Sequence, residues 1–334
     1  MFKTQKSLAL ENLARRHQVG VLRRTVANGR LCIGPAERAL HRDTALESDN
    51  RPMDRALLVG AKRRASTHAS TAPPHRQLVS SRWPPARPFG FGDPDVVAQA
   101  VRLWSRVAEH FAANARPDLF YELLNEPEQS SGATSAVPAA KWTDVAGQMI
   151  AAIRDADTSH TIIFGDVNWY GIDKLSARDP FPDDNVIYAF HIYEPYIFTH
   201  QGASWTSMSA THDIPYPYSP ERWSEDYKDL GFSASLESWI LDQVKSYYIN
   251  GNRSALRNQI IEAKRWAVEH NVPVICNEFG AYDTSSRLED RVRYYTDIVS
   301  IFTELAIPWQ HWFMVMAKDG TVIPEYRQAF GLGS

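Results

Sequence analysis

Two glutamates stand in settings that suit acid–base and nucleophilic chemistry. Glu126 lies in Tyr121-Glu122-Leu123-Leu124-Asn125-Glu126-Pro127, and Glu278 in Val274-Ile275-Cys276-Asn277-Glu278-Phe279-Gly280. Each follows an apolar run, each has an asparagine directly before it, and each precedes a chain-turning element, Pro127 or Phe279-Gly280. A lone Glu at a strand end is ordinarily a solvated surface group, but two in such matched settings are harder to explain that way. A carboxyl pair suits glycosidic cleavage: one protonates the leaving oxygen while the other attacks the anomeric carbon, provided they lie about 5–5.5 Å apart. One must be protonated and the other ionised at the same pH, so their surroundings must differ.

Other residue types open other chemistries, and most close again. His200 and His212 have no carboxylate or second histidine at ligand spacing, so no metal site is expected. Ser/His/Asp catalysis lacks a G-x-S-x-G elbow. Cys276 is flanked by apolar strand residues and reads as buried filler rather than a nucleophile. Taken alone, His191 reads as a hydrogen-bonded structural histidine, Trp312 and Trp309 as core, and Glu122 as a structural carboxyl paired inside the fold. An indole can also take the C–H face of a sugar ring, which leaves a second use for Trp312.

The surrounding pattern says what must position these groups. Asp93-Pro94 reads as an N-cap followed by Pro at the first helical position. Val97, Ala100, Val101, Trp104, Val107, Ala108 and Phe111 then recur at helical spacing and mark one apolar face. Short apolar runs predict strands at 119–124, 161–164, 186–190, 272–276 and 309–315. Periodicity predicts helices at 138–155, 253–270 and 288–305. The aromatic, proline-rich stretch from Glu194 to about Tyr248 reads as a long loop, and loops of that length in compact domains are usually functional. Strands of four to six residues alternating with long helices imply parallel pairing with helical crossovers. No phosphate loop accompanies any strand–helix junction, so a (β/α)8 TIM-type barrel is expected rather than a nucleotide-binding sheet. Catalytic side chains of such barrels project from the C-terminal ends of the strands.

Composition separates the chain into two textures. Of 334 residues, 44% are hydrophobic and 22% charged, as in a globular protein with a sizeable core. No apolar run approaches the length of a membrane span, so no membrane partner is expected. Two cysteines cannot build a disulfide framework. Residues 1–88 carry 17 Lys and Arg against 6 Asp and Glu, whereas 89–334 carry 19 against 33. Only two of the 38 aromatics, Phe2 and Trp83, precede residue 89. The basic segment lacks interleaved aromatics and any nucleic-acid motif, so nucleic acid is not an expected partner. It reads as an atypical segment, disordered or frame-shifted, ahead of a catalytic domain spanning 89–334.

Leu123-Leu124-Asn125-Glu126-Pro127 resembles the acid/base signature of glycoside hydrolase family 5, which includes many cellulases. Asn277-Glu278-Phe279-Gly280 resembles the nucleophile segment of the same family, and the likeness runs from about residue 89 to the C-terminus. The resemblance implies that Glu126 is the proton donor, Glu278 the nucleophile, and Asn125 a hydrogen-bond partner of the sugar 2-hydroxyl. His191 and Tyr193, in Phe190-His191-Ile192-Tyr193, match the family's His-x-Tyr, whose His contacts the acid/base and whose Tyr orients the nucleophile. Trp312 matches the tryptophan that floors the −1 subsite, and Trp205 resembles a residue of a further subsite. The implied activity is retaining endo-β-1,4-glucanase chemistry on a β-linked polysaccharide or oligosaccharide, by a monomer with no metal or organic cofactor. Mannan or another β-glucan is an alternative substrate, and an impaired carbohydrate-binding remnant an alternative function.

The family's early strands should also supply an active-site arginine and a histidine, the latter close to residue 88. The chain there reads Ser81-Arg82-Trp83-Pro84-Pro85-Ala86-Arg87-Pro88, and neither element is recognisable in 1–88. The first three strands are therefore expected to be absent or altered. Family members are usually exported, but Met1–His17 has no apolar stretch long enough for a secretory signal.

Overall fold

The computed structural model describes residues 60–63, 76–79, 91–113, 119–127, 139–224, 226–312 and 323–331. The chain divides between Ala189 and Phe190 into two compact units.

In the first unit, β1 (Gly60–Arg63) pairs antiparallel with β2 (Arg76–Val79), and β2 pairs in parallel with β3 (Leu119–Glu122). Two four-residue strands thus form inside the segment where the early strands were expected to be absent or altered. The rest of the 1–88 segment, with its disordered or frame-shifted reading, lies outside the described residues. Helix α1 (Pro94–Ala112) follows β2, and Asp93 caps it as the sequence predicts, accepting from the backbone N–H groups of Asp95 and Val96. Its buried face comprises Val97, Ala100, Trp104, Val107, Ala108 and Phe111. Val101, expected on that face, is only half-buried because it sits at the edge of the apolar stripe.

β3 ends at Glu122, two residues short of the expected strand, because Leu123 and Leu124 already belong to the turn that carries Asn125 and Glu126. Helix α2 (Ala139–Ala156) packs on α1, and its buried residues include Trp142, Val145, Met149, Ile150 and Ile153. β4 (Thr161–Gly165) pairs in parallel with β3, and β5 (Val186–Ile192) begins in parallel register with β4, from Ile162 opposite Val186 to Gly165 opposite Ala189. Between them lie the single turns α3 (Val167–Tyr170) and α4 (Ile172–Leu175). Arg154 ties this unit's loops together, reaching Asp183 at 2.6 Å and the carbonyls of Asp157, His160 and Asn185.

The second unit contains the end of β5, from Phe190 onward. The stretch expected as one long loop is partly helical: α5 (Tyr196–Thr199), a 3-10 turn (Tyr227–Leu230) and the 13-residue α6 (Ser238–Asn250) interrupt it. α6 was hidden because its apolar side is narrow. Ile240, Val244 and Tyr247 face inward while Trp239, Tyr248 and Ile249 stay exposed, which blurs the period. Helices α7 (Arg253–Glu269) and α8 (Leu288–Glu304) match the sequence reading within a residue, whereas β6 (Val274–Phe279) begins later and runs further than expected. Trp309 bridges in parallel to Cys276, with Cys276 N donating to Pro308 O at 3.0 Å and Gln310 N to Cys276 O at 2.8 Å. That is the beginning of the expected strand at 309; residues 313–315 lie outside the described set. A last turn, α9 (Pro324–Ala329), packs on α8. Among the described residues no helix is long and apolar enough to cross a membrane.

Candidate active site

In the first unit, strand alternation decides which way β3 aims its chemistry. Tyr121 turns toward α1, with its ring 5.8 Å from Trp104, so Glu122 turns to the opposite face. Glu122 is buried and 3.3 Å from the Tyr170 hydroxyl, in keeping with a structural carboxyl. The same hydroxyl donates to Leu124 O at 2.6 Å, two residues before Glu126. Asn125 and Glu126 are half-buried, and Glu126 has φ of 45°, a left-handed conformation that costs a non-glycine residue energy.

Tyr170 reaches Leu124 because of an unusual turn. Asn168, Trp169 and Tyr170 have φ of 61°, 52° and 59°, three successive left-handed residues at the C-terminal end of β4. The turn buries Tyr170 and leaves Trp169 59% exposed. Gly165 makes room for it: a Cβ there would lie 2.2 Å from the Tyr170 ring. Asp166 anchors the turn, accepting from Val167 N at 2.8 Å and pairing with Arg178 at 3.2 Å. Burial pushes the Asp166 carboxyl up despite that partner. Arg178 in turn lies over the Phe164 and Phe181 rings at 4.2 and 4.5 Å. Tyr170 is a residue that sequence reasoning missed; Gly165 and Asn168 are the local signals that could have flagged a tight, left-handed segment.

In the second unit, β6 places Glu278 by the same alternation. Phe279 packs on Phe302 of α8 at 5.2 Å, so Glu278 points to the other face, alongside Cys276. Glu278 is only 7% exposed. It is the fifth residue of the six-residue β6 rather than a residue beyond the strand's end. The Tyr193 hydroxyl donates to its Oε2 at 3.0 Å, and His191 Nδ1 lies 3.7 Å from the same oxygen. His191 is buried in β5 and Tyr193 directly follows that strand. Thr199 secures the backbone there by donating its hydroxyl to Tyr193 O.

Trp312 is 36% exposed, its ring 6.2 Å from Tyr193 at a right angle, and its backbone N–H donates to Phe279 O at 2.9 Å. It is therefore a partly open indole beside Tyr193 rather than core. Trp309, by contrast, is buried against Phe279, Phe302 and Phe330, as the sequence suggests. Cys276 is fully buried, burial pushes its thiol up, and its S–H donates to Glu278 O at 3.3 Å. Trp205 is 57% exposed and meets Tyr282 edge-to-face at 4.9 Å. His200 stacks on Tyr196 at 4.0 Å, and exposed His212 sits 3.3 Å from Asp213.

The sequence profile described as Cellulase (glycosyl hydrolase family 5) matches residues 74–317, which extends the likeness upstream of residue 89 to include β2. Endoglucanase 3 of Fibrobacter succinogenes is 47% identical over 247 residues, 72% of this chain and 37% of that protein. Endoglucanase C of Acetivibrio thermocellus is 27% identical over 225 residues, 66% of this chain and 61% of that protein. The chain thus spans about a third of the first relative's length and about three fifths of the second's. Among solved structures, a hyperthermophilic endo-β-1,4-glucanase in complex with substrate superposes with a TM-score of 0.60 at 20% identity, covering 99% of this chain and 90% of that one. A Thermotoga maritima Cel5A structure with cellobiose gives 0.58 at 22% identity, covering 76% of this chain and 71% of that one. These likenesses establish the (β/α)8 barrel as the fold class.

Proposed function

The chain belongs to glycosyl hydrolase family 5, and from that premise we propose that it is a retaining endo-β-1,4-glucanase in which Glu278 is the nucleophile and Glu126 the acid/base. Glu278 attacks the anomeric carbon as Glu126 delivers a proton to the departing glycosidic oxygen, forming a glycosyl-enzyme ester. Water, deprotonated by Glu126, then attacks that ester, and the released sugar keeps its β configuration. Tyr193 orients Glu278, His191 completes the surroundings of that carboxylate, Asn125 bonds the sugar 2-hydroxyl, and Trp312 supports the ring in the −1 subsite. Trp205 serves a more distant ring. The substrate is a β-linked glucan, which both named relatives suggest.

The observation that carries this reading is the Tyr193 hydroxyl 3.0 Å from a nearly buried Glu278 that also has His191 Nδ1 at 3.7 Å. A carboxylate made only for solubility would not be sunk in a strand with a hydroxyl and an imidazole trained on one oxygen. Reducing-sugar release from carboxymethylcellulose tests it. Wild type should release sugar with retention of the anomer by NMR, and a 2-fluoro glucoside with an activated leaving group should label Glu278. Label on any other carboxyl, or first-formed α-product, would overturn the assignment.

A further inference from the structure

Ring contacts in the second unit continue outward beyond the residues given roles above. Tyr193 meets His200 at 5.5 Å, His200 stacks on Tyr196 at 4.0 Å, and Tyr196 meets Trp239 at 4.9 Å with ring planes 67° apart. Trp239 is the second residue of α6 and is 42% exposed. It does not belong to the inward face of that helix, which Ile240, Val244 and Tyr247 supply. Its indole is nonetheless held in one orientation, because Nε1 donates to Glu237 Oε2 at 2.8 Å while Tyr196 packs against the ring. Tyr196 crosses at a steep angle, and 42% of Trp239 remains exposed to water.

A part-exposed indole whose Nε1 is already bonded to Glu237 is a ready surface for the C–H face of a pyranose. Binding there orders few additional side-chain torsions, which is the cost that usually erodes such contacts. The series of rings links that surface to Tyr193, and through it to the proposed nucleophile. We propose that Trp239, backed by Tyr196 and His200, is a sugar-stacking platform for a glucosyl ring of the β-glucan chain remote from the point of cleavage. The proposal rests on the glucanase reading and adds to it a longer binding track. A chain long enough to engage both Tyr193 and Trp239 gains this contact, and a chain too short to span them does not.

The test uses the full chain carrying Glu278→Gln, with cellotriose to cellohexaose as probes in isothermal titration. Adding Trp239→Ala should weaken cellohexaose binding by about 5-fold and leave cellotriose unchanged. Trp239→Phe should restore most of the loss. Tryptophan fluorescence provides a second readout: cellohexaose should shift the emission of the Trp239-bearing protein more than that of the folded Trp239→Phe protein. Equal cellohexaose affinity with and without Trp239, together with equal fluorescence shifts, would overturn the platform. Failure of the glucanase reading looks different. Wild type would release no sugar from carboxymethylcellulose, whatever the length dependence of binding.

Discussion

At the scale of single residues, the Tyr193 hydroxyl donates to Glu278 Oε2 at 3.0 Å, and removing it tests the proposed orienting role without changing the charge. Tyr193→Phe should lower kcat by roughly 10- to 100-fold with little change in KM, because misaligned attack costs rate rather than ground-state binding. Steady-state kinetics on a soluble cellooligosaccharide measures this, and a change confined to KM would contradict it. With Glu278 as the proposed nucleophile, Glu278→Gln should lose at least about 10³-fold in kcat/KM. Both glutamate motifs stand out in the sequence because their surroundings are written in adjacent residues. The partial exposure of Trp312 was not legible locally, as nothing in the adjacent residues distinguishes a part-open indole from one in a core.

At the scale of elements, the left-handed turn at 168–170 joins β4 to the segment that carries Glu126. Tyr170→Phe keeps the ring against Gly165 but removes the hydroxyl from Leu124 O and Glu122, and should destabilise the fold by about 1–3 kcal/mol. The same substitution should lower kcat more than it raises KM, because the Asn125–Glu126 segment loses its tether. Gly165→Ala should cost about 1–3 kcal/mol as well, since the added methyl meets a buried ring that has nowhere to go. Chemical denaturation of the three proteins decides both, and a neutral Gly165→Ala would mean the turn relaxes freely. The helices α1, α2, α7 and α8 were readable from period and caps. α6 was not, because a helix with a narrow inward stripe and aromatic residues facing water has the composition of a loop.

At the scale of the whole molecule, stability in acid depends on a buried cluster in the first unit. The Tyr121 hydroxyl donates to Asp157 at 2.8 Å, His160 Nδ1 meets the same carboxylate, and the backbone N–H groups of Ser159 and His160 donate to its other oxygen. Burial alone would raise the Asp157 carboxyl, but these donors together hold it well below the usual carboxylate range. A folded-state pKa below the unfolded value of about 3.9 means the ionised carboxylate stabilises the fold above that pH, and the contribution fades as pH falls further. Asp157→Asn should therefore be less stable than wild type by about 2–3 kcal/mol at neutral pH, with the gap narrowing below about pH 4. Thermal melts across pH 3–7 measure it, and a gap that stayed constant would refute the assignment. The sequence by itself determined the two carboxyl motifs, the alternation of strands and helices, the cap at Asp93 and the break in texture before residue 89. Each depends on residues that are neighbours along the chain. Only the tertiary structure decided that Tyr170 reaches Leu124 across 46 positions, that Tyr193 reaches Glu278 across 85, and that Trp239 stands at the end of a series of rings. Those contacts follow from the path of the backbone through space, to which every intervening element contributes and which no local pattern encodes.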